Sequence, residues 1–150
     1  MSYSLSFSKA ILVVVFISDK IRQGQYEFLS TASIAKVLNI PKPTLVKILQ
    51  GLAAQGIIET KEGKHGGVRG MKDPAAITVL DVFDAVEKGK PLFQSGFDIA
   101  VKGERPDRAQ ACVADLFAST EASMRSELAR TSFADILQHM DRANARTITN

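Results

Sequence analysis

Cysteine is almost missing from this 150-residue chain: Cys112 stands alone, which excludes an intrachain disulfide framework. Long apolar runs are missing too. The run Ala10–Ile17 falls well short of the about 20 residues that cross a bilayer. It has neither a strongly basic leader nor a small-residue cleavage site, so no secretory signal is expected. Together these absences favour a cytoplasmic protein with no membrane partner. Histidine is scarce, with His65 and His139 at positions that suggest neither a metal pair nor a nucleophile–base arrangement. There is no phosphate-cradling P-loop and no dinucleotide fingerprint. Internal repeats and low-complexity tracts are absent as well. Catalysis is not expected.

What is present is ordinary in amount and uneven in placement. An apolar content of 45 % can support a modest core, and 23 % charged residues is typical of a globular domain. The length suits one domain, or a small domain with an appended helix. The net charge of +3 conceals an asymmetry. Residues 1–75 carry 10 Lys/Arg against 5 Asp/Glu, whereas residues 76–150 carry 9 against 11. A basic front and a neutral back suit a polyanion partner.

The basic half contains a dense run of signals from Ser30 to Arg69. Ser30 or Thr31 can cap a helix whose Ile34, Val37 and Leu38 share one face. Asn39 tolerates a left-handed turn, and Pro41 bars that helix from continuing. A second helix starts near Pro43, buries Leu45, Ile48, Leu49 and Leu52, and stops at Gly56. Ile57–Lys61 then has strand character. Gly63, Gly66 and Gly67 permit a tight turn with positive φ before Val68 and Arg69 return. This order is that of a winged helix-turn-helix. Lys42, Thr44 and Lys47 lie at the outward N-terminal end of its second helix, where base edges and phosphates are met. Lys61, Lys64, His65 and Arg69 crowd the hairpin as further candidate DNA contacts, although a solvated turn is the simpler reading of His65.

Around this motif, Ser4–Arg22 reads as a buried helix against which the motif packs. Capping and solvent exposure are preferred over phosphate contact for its Ser6 and Lys9. Asp73-Pro74 marks a turn. Ile77–Glu87 forms a short helix with Thr78 and Asp81 as a capping box, and with Leu80, Phe83 and Val79 facing the core. Lys88–Asp107 reads as a loop, long enough to be functional, mobile or covered by a partner. A long helix, Asp107–Arg130, carries Ala109, Val113, Leu116, Phe117, Met124 and Leu128 in one narrow stripe. Such a stripe needs a surface to lie on, and a second copy of the chain is the simplest. Ser132–Asp135 caps a last helix to about Arg142, and Ala143–Asn150 is expected to fray. The expected architecture is mainly α with a small β wing. It comprises a winged helix-turn-helix domain (1–88), a loop (89–106), and a long C-terminal dimerisation helix with the last helix (107–150).

Four pieces in this order resemble the Rrf-two family of winged-helix regulators, which includes iron–sulfur, nitric-oxide and cysteine-metabolism sensors. They are I-A-K-V-L-N-I-P-K-P-T-L-V-K-I-L, the wing G-K-H-G-G-V, I-T-V-L-D-V-F-D-A-V-E, and the late S-F-A-D-I-L. The resemblance covers most of the chain. It implies a homodimer held by the long helix, bound to a two-fold-symmetric operator, usually as a repressor of transcription. Val113, Leu116, Phe117, Met124 and Leu128 would form the dimerisation surface. Two features depart from the family pattern. Cluster-binding members carry three cysteines across the loop and the start of the long helix, and Cys112 occupies the third of these positions alone. A cluster normally needs about four thiolates, so no iron–sulfur cluster, metal or other cofactor is expected. The arginine before the first wing glycine and the aromatic after the last are here Glu62 and Val68, leaving Lys61 or Lys64 to serve instead.

Cys112 has two readings. Beside Ala111 and Val113 in a helix, a small buried hydrophobe is favoured. Arg105 and Arg108 nearby leave open a redox-sensing thiolate. The rival to DNA binding is a winged helix used as a protein-interaction module, and the clustered cations of the wing argue against it.

Overall fold

The computed structural model describes residues 5–25, 27–87 and 89–148, with side chains as far as residue 143. The first helix, α1 (Ser6–Arg22), is the element around which the others are arranged. Its expected start at Ser4 lies outside the described residues. Ala10, Val13, Val14, Val15 and Ile17 are all buried, because a helix apolar on most faces must be covered on most sides. At its C-terminal end Arg22 donates to Asp141 at 2.6 Å and to Asp19 at 2.5 Å. Both carboxylates raise its pKa above the ordinary guanidinium value, Asp141 the more strongly.

The helix-turn-helix follows as α2 (Thr31–Leu38) and α3 (Lys42–Ala54), and the wing as strands β1 (Ile58–Lys61) and β2 (Gly67–Gly70). The strands are antiparallel, with Glu59 opposite Arg69 and Thr60 opposite Val68. Leu29 extends the sheet, exchanging two backbone hydrogen bonds with Val68 at 2.7 and 2.8 Å. Gly67 makes this approach feasible: its φ is +142°, and a Cβ there would lie 2.0 Å from the Leu29 carbonyl oxygen. Gly63 also has positive φ. Gly66, expected to share that conformation, instead makes a close approach in which a Cβ would meet the Lys61 carbonyl at 2.0 Å.

Asp73 caps a single 3-10 turn, Pro74–Ala76. Helix α4 (Val79–Val86) then starts with the expected capping box, Thr78 and Asp81 each bonding the other's backbone N–H. Its buried residues are Val79, Val82 and Phe83. Leu80, expected to face the core, is half-buried, because α1 and α3 lie on the side that Val82 presents. A Cβ on Gly51 of α3 would come within 2.5 Å of the Ala85 carbonyl, so glycine sets how closely α3 and α4 pack.

The long helix α5 runs Glu104–Ala129, three residues earlier at its start than the sequence suggests, and it buries none of its residues. Cys112 is therefore exposed, contrary to the favoured reading, because that part of α5 stands clear of the core. Helix α5 is tied to the body by Leu128, which packs against the core cluster, and by Arg125, which bonds both carboxylate oxygens of Asp84 on α4 at 2.9 and 3.0 Å. That hydrogen bonding raises the Arg125 pKa. The preceding loop folds back on α5 through Phe93, whose ring centre lies 4.9 Å from that of Phe117, and through Gln110, which donates to the Phe97 carbonyl.

The last helix, α6 (Phe133–Ile148), continues beyond Arg142 through most of the segment expected to fray. Thr149 and Asn150 lie outside the described residues. Phe133 and Leu137 are buried in the core cluster that holds α1. The Ser132–Asp135 capping box forms as expected. The chain entering α6 also pairs with the chain entering α4, through Val79 to the Thr131 carbonyl and Phe133 to the Ile77 carbonyl, both at 2.9 Å.

Because Phe133 is fully buried, Phe133→Ala is expected to cost about 3–5 kcal/mol of stability in urea unfolding. The Ser132 backbone N–H, and then its side chain, hold the Asp135 carboxyl below its ordinary value. A depressed carboxyl stabilises the fold above its unfolded pKa and loses that contribution as pH falls through its folded pKa. The penalty of Asp135→Asn is therefore expected near neutrality, shrinking once the pH falls below the ordinary aspartate value of 3.8.

Candidate nucleic-acid interface

Ser30 opens the motif by accepting a hydrogen bond from the Ser33 backbone N–H at 3.1 Å. This supplies a partner for one of the donors that a helix N-terminus leaves unpaired. Asn39 adopts the left-handed conformation (φ 52°, ψ 48°) that ends α2. Ile40 is buried beneath the turn, and Pro41 leads into α3. Asn39 and Pro41 thus shape the turn by local properties, and Ile40 anchors it to the core.

Helix α3 buries Leu45, Ile48, Leu49 and Leu52, the expected stripe. Its other side presents Lys42, Pro43, Val46, Lys47 and Gln50 to solvent, with Thr44 half-buried. The helix contains no acidic residue. Its N-terminus combines the positive end of the helix dipole with two lysines, an arrangement that favours anions.

Two clefts flank this face. One, of about 620 Å³, runs between α3 and the ends of α1 and α4, and is lined by Ser6, Thr44, Lys47 and Lys90 among others. The other, of about 590 Å³, separates α3 from the wing, with Val46 and Gln50 on one wall and Lys61 and Lys64 on the other. Gln50 lines both clefts and so marks the crest of the helix.

The wing cations divide into two groups. Lys61, Lys64 and His65 are exposed at or near the hairpin tip. Arg69 is half-buried and already engaged: it hydrogen-bonds Glu59 on the neighbouring strand and lies 4.6 Å from the centre of the Phe28 ring. The Lys61 ammonium also lies over Phe28, at 5.6 Å. Cations over an aromatic face are attracted to its quadrupole. Phe28 is therefore a platform that holds both strands of the wing in place.

The structure thus brings Thr44, Lys47, Lys61 and Lys64 to the walls of two clefts that meet at Gln50. Lys42 and His65 are exposed but line neither cleft, and Arg69 acts mainly within the wing. Sequence reasoning passed over Val46, Gln50 and Phe28. Val46 and Gln50 were legible in principle, being opposite the buried stripe at helical spacing. Phe28 was not, since its role depends on the fold bringing it under the hairpin.

Comparison with known proteins bears on the family and the fold. Residues 3–139 match the Rrf2 family model, described as an iron-dependent transcriptional regulator. YwnA of Bacillus subtilis strain 168, provisionally named an HTH-type transcriptional regulator, is 30% identical over 111 residues, covering 74% of this chain and 83% of YwnA. The structure of IscR from T. potens superposes with a TM-score of 0.69 at 17% identity, over 95% of this chain and 90% of that one. CymR, the global cysteine regulator of B. subtilis, superposes with a TM-score of 0.62 at 18% identity, over 93% of this chain and 98% of that one. The chain belongs to the Rrf2 family: it is a DNA-binding transcriptional regulator built on a winged helix-turn-helix, and not an enzyme.

Proposed function

We propose that this regulator acts as a homodimeric repressor in the cytoplasm, with α3 in the major groove of each half of a two-fold-symmetric operator. The wing follows the adjacent backbone or minor groove. The observation that carries this reading is the single basic surface formed by α3 and the wing, on which Lys42, Lys47, Lys61 and Lys64 are all exposed. Thr44 and Lys47 lie where a recognition helix meets base edges, and Lys61, Lys64 and His65 lie where phosphates pass. Arg69 contributes by bracing the hairpin against Glu59 and Phe28.

Dimerisation through α5 is supported by the state of that helix. It is 26 residues long with none buried. Leu116 is 61% exposed, and Val113 is also open to solvent, while Phe117, Met124 and Leu128 are half-covered. Leu128 packs on the core of its own chain and Phe117 against Phe93, so the part of the strip left for a second α5 to cover centres on Val113 and Leu116; two-fold homodimers are the commonest oligomers. Two recognition helices related by that axis would match an operator with two half-sites. No helix among the described residues is long and apolar enough to cross a membrane.

The donor set does not fit an iron–sulfur cluster. Cys112 is the single cysteine of the chain, and among the described residues no three His, Cys, Asp or Glu side chains converge on a metal position. The reading therefore includes no cofactor. Exposure of Cys112 favours keeping the redox-sensor reading for it. Arg108, one of the two arginines near it, is engaged with Glu104 one turn away.

Binding to the DNA upstream of the protein's own gene, measured across a salt series with Cys112 reduced and oxidised, tests this function. Affinity should fall steeply with salt, because each neutralised phosphate releases counterions. Lys47→Ala is expected to weaken binding by about 1 kcal/mol or more. Lys64→Ala should reduce the salt slope by about one phosphate's worth. Unchanged binding in both variants defeats the proposed face. Leu116→Glu places a charge in the apolar strip and should yield a monomer in sedimentation; a stable dimer from that variant would remove the α5 interface.

A further inference from the structure

Val46 is out of keeping with the face that it occupies. The outer side of α3 carries Lys42, Lys47 and Gln50, and among them stands one β-branched apolar side chain that is 38% exposed. It lines the α3–wing cleft beside Leu49 and Ala53, across from Lys61 and Lys64. A single exposed apolar residue on a protein surface ordinarily calls for no explanation. This one lies in the second turn of α3, on the side that a helix-turn-helix directs at base edges. Its polar neighbours there can hydrogen-bond to bases and phosphates. Val46 cannot, and the apolar group that a major groove offers is the 5-methyl of thymine.

Resting on the DNA-binding reading above, we propose that Val46 packs against the 5-methyl group of a thymine and so makes one A·T pair in each half-site a specificity-determining position. The cleft has about 590 Å³ of space, and its wing side carries Lys61 and Lys64 with Glu62 between them, a net positive rim that suits the phosphates of one DNA strand. Val46 faces that strand from the helix side. A thymine methyl projects into the major groove close to the backbone of its own strand, so the thymine belongs to the strand lying in the cleft. Cytosine at that position would bring an amino donor in place of the carbonyl acceptor and no methyl. Val46 can neither accept from the donor nor replace the lost contact. Gln50 is four residues further on, about 6 Å along the helix axis. Removing only the 5-methyl leaves every hydrogen-bonding group of the base pair in place, so contacts made by Gln50 are separable from the methyl contact.

The test is a chemical double-mutant cycle on a duplex that the wild-type protein enriches from a random-sequence pool. Each thymine is replaced singly by deoxyuridine, which removes the methyl and leaves every hydrogen-bonding group in place. Binding is measured for the wild type and for Val46→Ala at one salt concentration. Replacement at one thymine per half-site is expected to weaken the wild type about fourfold, the worth of one buried methyl group, and to leave Val46→Ala unchanged. Val46→Thr, which keeps one methyl, should retain part of the discrimination. If no thymine shows a methyl effect, or if Val46→Ala shows the same effect at the same position, the proposal is overturned while salt-steep binding keeps the DNA-binding reading in place. If no duplex is enriched and binding does not respond to salt, both readings fall together. Val46 sits at the surface, so its truncation leaves the core intact and the comparison concerns DNA alone.

Discussion

Burial of α1 is the constraint on which the rest of the structure depends. Val13 and Val14 have almost no exposed surface, and they share one core cluster with Ile34 of α2, Leu45 and Leu52 of α3, Val68 of the wing, Val82 of α4 and Phe133 of α6. A helix that is apolar on most sides cannot remain in water, so five elements from distant parts of the chain close around it. The recognition helix is held at a definite angle because its inner stripe is part of that enclosure. Its outer face stays open to solvent because the inner one is fully committed.

Electrostatics and packing divide the work along the chain. Basic residues concentrate on α3 and the wing, and some acidic residues hold arginines within the fold. Glu59 restrains Arg69 within the wing, and Asp19 and Asp141 restrain Arg22 at the end of α1. Lys47, Lys61 and Lys64, by contrast, remain exposed on the outer surface. Long-range attraction falls within about 10 Å in ordinary salt, so exposed lysines grouped on one face act on a nearby polyanion more strongly than the modest net charge would suggest.

The arm formed by α5 differs in kind from the body. It is joined to α4 by the paired hydrogen bonds of Arg125 with Asp84, and to its own loop by Phe93 and Phe117. A bidentate arginine–carboxylate pair fixes direction as well as distance. This joint links α5 to α4, on which α3 also packs. The joint is half-exposed, so its contribution is better regarded as orientation than as stability.

Much of the fold was legible without coordinates, for local reasons. Ser30, Asn39, Pro41, Thr78 with Asp81, and Ser132 with Asp135 act within a few residues of themselves, and each performs in the structure the role its chemistry suggests. The stripe Leu45, Ile48, Leu49 and Leu52 follows from helical spacing alone. Other features depended on what the folded chain brings alongside. Cys112 is exposed because α5 leaves the core, Leu80 yields its buried place to Val82, and α6 extends to Ile148 with Phe133 and Leu137 seated on α1. The same holds for Phe28 beneath Arg69, and for the cleft that gives Val46 its setting. The sequence by itself determined the elements, their caps and their periodic faces, since these arise from contacts a few residues apart. Only the tertiary structure decided which faces are covered and which cations stay free, because burial depends on partners far along the chain.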